Sequence, residues 1–309
     1  MLSLIEFIER YKAGSPTDET IYWIHLKPSE IAIRFLEETG NKVSNGFIKR
    51  LLKSLGYKYK KLKKSLAIGK YANRNEQFQI IFNLVTVMSL NTPVLSIDCK
   101  KKERLGNLYR EGKCYCTASI PVFDHDYYYL GEGKVIPHGI YDLSRNEGYV
   151  TIGNSHETAE SIKDNLLWWW DNYGINQYSD CKTILILCDA GGANSYRHHV
   201  FKKEMLELAK LIGRDIIICH YPPYASKWNP IEHRLFAHVH HAMKGSILSN
   251  YDFVKELISK TTTSTGLKVV VRLHLKKYTI GIKTKQEEVD YSRIQFNKNI
   301  PELSYRIAS

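Results

Sequence analysis

Three acidic residues stand at positions where a divalent-metal site can form. Asp98 ends the apolar run VLSID, and Asp189 ends the apolar run LILCD. In open α/β sheets, sites lie at the carboxyl ends of strands, where a carboxylate has a rigid support and still meets solvent. Glu232 lies in SKWNPIEH, at the predicted first turn of a helix. Three carboxylates suffice to hold two Mg²⁺ ions, which prefer oxygen ligands and keep several waters, and such a pair can drive in-line displacement at phosphorus.

Each of these acids also has a purely structural interpretation. A strand-end aspartate often starts a turn or caps a helix. In the third motif, Asn229 as the N-cap, Pro230 at the first helical position and Glu232 at the third would form a capping box. Taken singly, none of the three acids decides between the two interpretations. Their combination favours the metal site.

Basic residues flank the acids at both ends of this set. Lys100 and Lys101 follow the first acid, and Lys227 and Arg234 bracket the third. We predict that these side chains contact the phosphates of a nucleic acid. A solvated turn is the alternative for any one of them.

Other enzyme classes and metal sites are disfavoured by residue spacing. The segment HVHH (238–241) lacks the two histidines four residues apart, with a glutamate, that a zinc-protease helix needs. No GxxxxGK[ST] phosphate-binding loop occurs in the sequence, which disfavours an ATPase. Cys114 and Cys116 have no matching pair at zinc-finger spacing. Six cysteines in a chain this long do not form a disulfide framework and indicate a reducing compartment.

Positive charge is concentrated in one stretch of the 309-residue chain. Lys+Arg number 44 against 32 Asp+Glu, a net charge of +12, and residues 42–74 hold eleven basic side chains and no acidic one. This imbalance predicts an acidic polymer as the partner. The sequence has no apolar run long enough to span a membrane and no basic n-region of a signal peptide. We therefore expect an intracellular protein that does not bind a membrane.

Two short helices are predicted around the start of the basic stretch. Pro28 begins the first helix and Gly40 ends it. Ser44 caps the second helix, which Gly56 closes. Two short helices joined by a turn of about four residues are typical of a helix-turn-helix. The sequence therefore predicts a small all-α DNA-binding domain.

The side chains predicted to contact DNA lie on the second helix and on the tail behind it. On the helix they repeat every four residues, opposite its leucine-rich face, as in a recognition helix, and are Asn45, Lys49 and Lys53. In the tail YKYKKLKK they alternate with aromatic residues and are Lys58, Lys60, Lys61, Lys63 and Lys64. A solvated linker with one basic face is the alternative for the tail.

The remainder of the chain predicts an α/β domain with a mixed sheet flanked by helices. The predicted strands are Val94–Cys99, 115–121, 149–153, Thr183–Cys188 and 215–219. The predicted helices are 158–173, 197–211 and one that begins near residue 230, and Trp168–Trp170 in the first is predicted to be mostly core. We predict three parts: a helix-turn-helix region with its basic tail (1–72), a connector helix (73–92) and a catalytic domain (93–309).

From about Lys27 to Tyr305, the sequence resembles the DDE transposases of the ISAzo-type insertion-sequence family, relatives of the mariner-like group. The resemblance lies in six ordered stretches: SIDCKKKE (96–103), PHGIYDLSRNEGYV (137–150), ETAESI (157–162), CDAGGANS (188–195), CHYPPYASKWNPIEHRLF (219–236) and TTTSTGLKV (261–269). Together these stretches are long and highly specific.

The resemblance implies a ribonuclease-H-like catalytic domain with Asp98, Asp189 and Glu232 as the catalytic, metal-binding acids. It implies two Mg²⁺ ions per site, with Mn²⁺ as a substitute. The implied reaction is cleavage at transposon ends, followed by attack of the freed 3′-hydroxyl on target DNA. The implied partners are double-stranded DNA and further copies of the chain, in a dimer or larger assembly. The expected location is the prokaryotic cytoplasm, at the nucleoid.

Two other functions remain open at this stage. One is a non-catalytic DNA-binding remnant of an insertion element that occupies or represses element ends. Only 26 residues precede the matching region, which favours this alternative, whereas the three intact acids favour catalysis. The other is a ribonuclease-H-like nuclease that cleaves DNA without joining it.

Overall fold

The computed structural model describes residues 3–15, 18–60, 73–88, 92–125 and 127–309. The chain forms two compact units, Met1–Leu66 and Ala67–Ser309. The three predicted DNA contacts Lys61, Lys63 and Lys64 lie outside the described residues. The division into 1–72, 73–92 and 93–309 remains a prediction. In the described part of the chain, no helix has the length and hydrophobicity needed to cross a bilayer.

The first unit contains a small sheet as well as helices. Its elements are α1 (Leu4–Glu9), β1 (Lys12–Ser15), β2 (Asp18–Ile24), α2 (Pro28–Thr39) and α3 (Asn45–Ser54). β1 and β2 pair antiparallel, so the expectation of an all-α domain is corrected. The reason is local, because residues 20–24 (TIYWI) are β-branched or aromatic and favour a pleated strand.

The two predicted helices of this unit are present, with the expected ends. Pro28 opens α2, and Gly40 follows it in the left-handed conformation (φ 74°). Ser44 caps α3, where its hydroxyl accepts a hydrogen bond from the amide of Phe47 (3.2 Å). α2 and α3 pack through a shared apolar cluster that includes Ile31, Phe35 and Ile48. The turn between them is therefore fixed by packing on both sides.

The second unit is built around one large sheet. Its helices are α4 (Arg74–Val87), α5 (Ala159–Trp169), α6 (Ile175–Gln177), α7 (His199–Ile212), α8 (Ala237–Ala242) and α9 (Tyr251–Ser259). Its strands are β3 (Val94–Cys99), β4 (Glu103–Leu105), β5 (Gly133–Asp142), β6 (Glu147–Gly153), β7 (Thr183–Cys188), β8 (Asp215–His220), β9 (Lys268–Leu273), β10 (Ile294–Phe296) and β11 (Ser304–Ile307). π-helical turns occupy Trp170–Gly174 and Glu232–Phe236, and short 3₁₀ turns Tyr128–Leu130, Gly192–Asn194, Ser226–Trp228, Gln286–Glu288 and Tyr291–Arg293.

The strands of the second unit form one mixed sheet. The described strands follow the order β10-β11-β8-β7-β3-β5-β6-β9, with β4 paired to β5. β3, β5 and β6 form an antiparallel meander, and β7 and β8 run parallel to β3. The predicted mixed α/β sheet flanked by helices is confirmed.

Helices cover both faces of this sheet. α5 and α7 pack on one face, in a core that contains Ile97, Ile186 and Trp169. α8 and α9 pack on the other face, and α4 covers the β7 region of that face through Ile81. The side-chain amide of Gln77 in α4 is fully buried and donates to the carbonyl oxygen of His220 (2.8 Å). The helix predicted as a connector is thus fastened to the sheet.

Two strand predictions differ from the structure. Residues 115–121 form no strand, and the side chains of Tyr115 and Ile120 are exposed, so this segment buries no apolar face against the sheet. β5 was not predicted because it contains Pro137 and two glycines, which disfavour a central strand. Pro137 is tolerated because the β3–β5 ladder includes only the residues after it, from His138 onward, so β3 needs no amide from the proline. The tryptophan prediction is confirmed, since Trp169 and Trp170 are buried.

One buried histidine makes the stability of the sheet depend on pH. His138 in β5 is 6% exposed, and neither ring nitrogen has a hydrogen-bond partner among the described residues. Burial, with a smaller effect from Arg272, lowers the pKa of His138 to about 4. The unfolded chain therefore binds more protons than the folded chain between pH 4 and about 6.5, and stability falls as pH decreases through that window.

We predict that His138→Leu flattens this dependence. From pH 7 to pH 5, the free energy of unfolding of the wild type should fall by about 2 kcal/mol more than that of the variant. Urea unfolding at the two pH values measures the difference. His125→Gln, at an exposed histidine, should keep the wild-type dependence. If the free energy of unfolding of His138→Leu fell with pH as much as that of the wild type, His138 would not be the group that titrates.

Candidate active site

The first two acids lie side by side at one end of the sheet. β3 and β7 are parallel neighbours, with Val94 opposite Leu185 and Ser96 opposite Leu187. The same offset sets Asp98, near the end of β3, beside Asp189, which directly follows β7. Two apolar strands thus position the two carboxylates by their register alone.

The third acid approaches from the helical layer on one face of the sheet. Glu232 is the first residue of the π-helical turn that leads into α8. π-helical turns within helices are frequent at functional sites. This turn packs directly on β5, where a side chain at Gly139 would come within 2.6 Å of Phe236 and 2.8 Å of Ile231. Gly139 pairs with Asp98 across the β3–β5 ladder. The missing side chain lets the segment carrying Glu232 lie against the strand next to Asp98.

A buried hydrogen-bond network fastens this segment to β3. The Ser96 hydroxyl donates to Oδ1 of Asn229 (2.5 Å), and Nδ2 of Asn229 donates to the carbonyl of Ile97 (3.1 Å). The amide of Ile231 donates to the same Ser96 hydroxyl (3.0 Å). The capping-box interpretation is therefore wrong, because the Asn229 side chain bonds to the strand, and the Ser96 hydroxyl instead accepts an amide of the first helical turn. Its position ties Glu232 to the strand that carries Asp98.

Burial and mutual repulsion define the electrostatics of the site. Burial, followed by repulsion from Asp189 and smaller contributions from Glu232 and Glu157, raises the pKa of Asp98 to about 8. The Cys99 amide, which donates to Oδ1 of Asp98 (2.7 Å), opposes this shift. Burial also raises the pKa of Asp189, against a hydrogen bond from Nδ2 of Asn194 (3.2 Å). Ionising Asp98 or Asp189 in the folded chain therefore costs free energy, mainly because both side chains are largely buried.

A fourth acid, Glu157, was not singled out from the sequence. Burial and the charge of Asp189 raise its pKa, and the Cys99 thiol and Lys102 lower it. A side chain at Gly192, in the loop after Asp189, would lie 3.9 Å from Oε1 of Glu157. Glu157 therefore lies near the loops that follow both strand-end acids. The sequence around Glu157 (ETAESI) did not predict this position, because the path of the loop before α5 brings Glu157 close to the two other loops.

A buried histidine supports the backbone behind the second acid. Nδ1 of His220 lies 3.1 Å from the carbonyl oxygen of Asp189, and Nε2 lies 3.1 Å from the hydroxyl of Tyr305. His220 is fully buried, and burial lowers its pKa to about 4. In the structure, His220 links β7, β8 and β11 behind the acids.

The predicted phosphate contacts near the acids have different environments. Lys100 is 8% exposed and ion-paired to Glu103 (2.7 Å), which also binds Arg110 (2.6 Å). That pairing disfavours a phosphate contact for Lys100. The remaining three are exposed and stay predictions: Lys101, Lys227 and Arg234.

The predicted recognition face in the first unit is exposed to solvent. On α3 the side chains of Asn45, Lys49 and Lys53 are exposed, whereas Ile48 on the opposite face is fully buried. In the tail, Lys58 and Lys60 are also exposed. The face is free to contact DNA, and its role remains a prediction.

A family model described as the Rhodopirellula transposase DDE domain matches residues 3–309. The chain belongs to this transposase family. The match begins near the first residues, so the resemblance also includes the segment before Lys27 that we expected to lie outside it. The predicted transposase identity and DDE domain are confirmed by this match.

Several solved structures of the Mos1 transposase are similar in fold. A paired-end complex with the left transposon end is 14% identical, covering 79% of this chain and 71% of that chain, with a TM-score of 0.47. A paired-end complex with Mn is 16% identical, with the same coverage and a TM-score of 0.45. A strand transfer complex is 14% identical, covering 75% of this chain and 64% of that chain, with a TM-score of 0.46. No curated protein matches the sequence. At these low scores the likenesses add nothing to the assignment, which rests on the family match.

The donor set of the transposase fits hard divalent cations. Asp98, Asp189 and Glu232 offer only oxygen ligands, and none of them forms an ion pair with a described residue. In the described ranges, no three His, Cys, Asp or Glu side chains converge to metal-binding distances. Burial, with a smaller effect from the charges of Asp189 and Glu232, raises the pKa of Asp98.

We predict that Asn229→Ala loosens the attachment of the Glu232 segment in the transposase. The substitution leaves the Ser96 hydroxyl and the Ile97 carbonyl without their buried partner, which should cost about 1–3 kcal/mol in the free energy of unfolding. Chemical denaturation measures this loss. The exposed Asn299→Ala should change stability by less than about 0.5 kcal/mol. A loss in Asn229→Ala no larger than in Asn299→Ala would contradict a fastening role.

Proposed function

We propose that the transposase cleaves DNA at the ends of its element and joins the freed 3′-hydroxyl to target DNA. The observation that carries this proposal is the arrangement of Asp98, Asp189 and Glu232 at one end of the sheet. The first two acids are neighbours by strand register, and the third is fastened beside them through Asn229. Family membership supports the reaction class, and the geometry supports these three residues as its catalytic acids.

In this proposal the chain's own residues hold and orient the reacting groups. Asp98, Asp189 and Glu232 would hold two Mg²⁺ ions, with Mn²⁺ as a substitute. When bound, such ions lower the pKa of an attacking water or hydroxyl and offset charge on the leaving oxygen. The network of Ser96 and Asn229 keeps the third acid in place relative to the first. No nucleotide cofactor and no covalent protein–DNA bond is required.

The first unit would supply affinity for double-stranded DNA. Asn45, Lys49 and Lys53 on the exposed face of α3 would enter the major groove, and the basic tail would follow the phosphates. We propose that a dimer or larger assembly on DNA acts on two element ends and the target. The place of action would be the nucleoid of a prokaryotic cytoplasm.

We predict that Asp98→Asn, Asp189→Asn and Glu232→Gln each abolish cleavage of labelled element-end DNA in Mg²⁺. The neutral side chains keep the shape of the acids but lose the charge that holds a divalent cation, so DNA binding should be unchanged. Gel analysis of nicked and joined products measures cleavage, and fluorescence anisotropy in EDTA measures binding. Glu287→Gln, at an exposed acid outside the site, should cleave like the wild type.

The same assay separates the three candidate functions. A wild-type protein that binds element ends without cleaving them in Mg²⁺ or Mn²⁺ would support the non-catalytic remnant. Cleavage without joined products would support a nuclease. Retained cleavage in Asp189→Asn would contradict the assignment of the acids.

We also predict that the basic tail governs the salt dependence of DNA binding. Replacing Lys58, Lys60, Lys61, Lys63 and Lys64 by Gln should make the slope of log K against log salt less negative, by up to about 0.9 for each lost phosphate contact. Titrations of duplex DNA at several salt concentrations measure the slope. The control replaces five exposed lysines elsewhere: Lys182, Lys210, Lys255, Lys268 and Lys298. An unchanged slope in the tail variant would identify the tail as a solvated linker.

A further inference from the structure

A groove of about 830 Å³ opens beside the acids of the second unit. Its walls include Glu157 and Gly192, the two positions that approach each other near the loops after β3 and β7. One wall is the start of α5, and another is the start of α7, from His198 to Val200. The far wall is the segment 279–284 (TIGIKT), called here the apolar loop. One end of the groove is therefore formed by Glu157, whose charge also acts on Asp98.

The exposed charged side chains of the groove are cations. Lys102, Arg197 and Lys283 line it, are exposed, and form no ion pair with a described residue. Its three acids are less exposed: Glu160 is paired to Lys276 (2.8 Å) and Glu204 to Lys163 (2.7 Å), and each of these lysines also pairs with an acid outside the groove. Only Glu157, at the end nearest the catalytic acids, is left without an ion pair among the described residues. This charge is complementary to a phosphate backbone.

The starts of two helices add to this charge. Thr158, Ala159 and Glu160 at the start of α5 face the same groove as His198 and His199 at the start of α7. The His198 side chain makes no capping bond to the first turn of α7. Helix N-termini favour anions because their amides and dipole are positive. The N-termini of α5 and α7 therefore add to the attraction of Lys102, Arg197 and Lys283 for an anion.

The apolar loop gives the groove a second kind of contact. Ile280 and Ile282 are 62% and 54% exposed, on either side of Gly281 in the left-handed conformation (φ 77°). Exposed aliphatic side chains can pack against the apolar faces of unpaired bases. A duplex keeps its bases stacked and paired, so this contact favours a strand whose bases are free.

We propose that this groove binds a single DNA strand next to the catalytic acids. Lys102, Arg197 and Lys283 contact its phosphates, and Ile280 and Ile282 contact its bases. The inference rests on the proposed function, since it places an unpaired strand at the site of cleavage and joining. It goes further by naming the surface that receives the strand and the form of DNA that this surface prefers.

The test compares single-stranded and duplex DNA on the full-length chain in EDTA. The probes are a fluorescein-labelled oligothymidylate of about 12 nucleotides and a duplex of the same length. Arg197→Gln/Lys283→Gln should weaken binding of the single strand about tenfold, because two charge-assisted phosphate contacts are lost. Ile280→Ser/Ile282→Ser should weaken single-strand binding and leave duplex binding unchanged. Lys255→Gln/Lys298→Gln, which removes two exposed charges outside the groove, should stay within about twofold of the wild type.

A second measurement locates the strand on the protein, because the basic tail also binds DNA. An oligonucleotide containing 4-thiothymidine should cross-link to the peptide that includes residues 279–284, and the cross-link should decrease in Arg197→Gln/Lys283→Gln. Groove variants that bind the single strand as tightly as the Lys255/Lys298 control would overturn the proposal. An equal loss of single-strand and duplex binding in the isoleucine variant would do the same and would indicate a duplex surface.

The two proposals fail in different ways. The binding measurements use intact acids and no divalent metal, so they do not depend on cleavage. If the acid variants lose cleavage while the groove variants bind normally, only the groove proposal fails. If the acid variants retain cleavage, the assignment of the acids fails and the binding result for the groove stands.

Discussion

The burial of carboxylates at the end of the sheet, to which their mutual repulsion adds, is the constraint on which the rest of the second unit depends. Burial and the neighbouring charge of Asp189 raise the pKa of Asp98 to about 8, which means that holding both acids ionised opposes folding. The sheet must therefore position the acids through elements that are stable without them. β3 and β7 meet this need because their apolar residues are buried on both faces. The acids lie beyond the most buried part of these strands, where their charge disturbs the core least.

The third acid needs a different kind of support, because it is carried by a helical turn and not by a strand. That support comes from Asn229, whose amide is fully buried and bonded to both Ser96 and Ile97. Gly139 contributes by leaving space for Phe236 and Ile231 beside Asp98. Two segments thus position the third acid. SKWNPIEH contains Asn229, which fixes the turn that bears Glu232, and PHGIYD contains Gly139, which lets that turn approach the strand.

What could be predicted from the sequence was local. The apolar runs ending in Asp98 and Asp189 predicted strands with acids at their ends. This was possible because each strand has only six residues, so the apolar pattern and the acid lie together in the sequence. β5 could not be predicted, since Pro137 and Gly139 are tolerated only where the neighbouring ladder ends and a helix packs closely. The same limit applies to Asn229, whose partners are more than 130 residues away. It also applies to Glu157, which reaches the site through a loop.

Positive charge and the three acids lie in different parts of the chain. A cluster of acids repels phosphate, so a nucleic acid that binds the chain has to be attracted by other side chains. Residues 42–74 hold eleven of the basic side chains without an acid, which leaves the remaining residues nearly neutral. The basic stretch is thus separated in sequence from Asp98, Asp189 and Glu232. Close to the acids, cations stand at the groove walls without pairing with the acids, as Lys102 and Arg197 do. An ion pair between a lysine or arginine and Asp98 or Asp189 would reduce the repulsion between the acids. It would also neutralise the negative charge that a divalent ion needs.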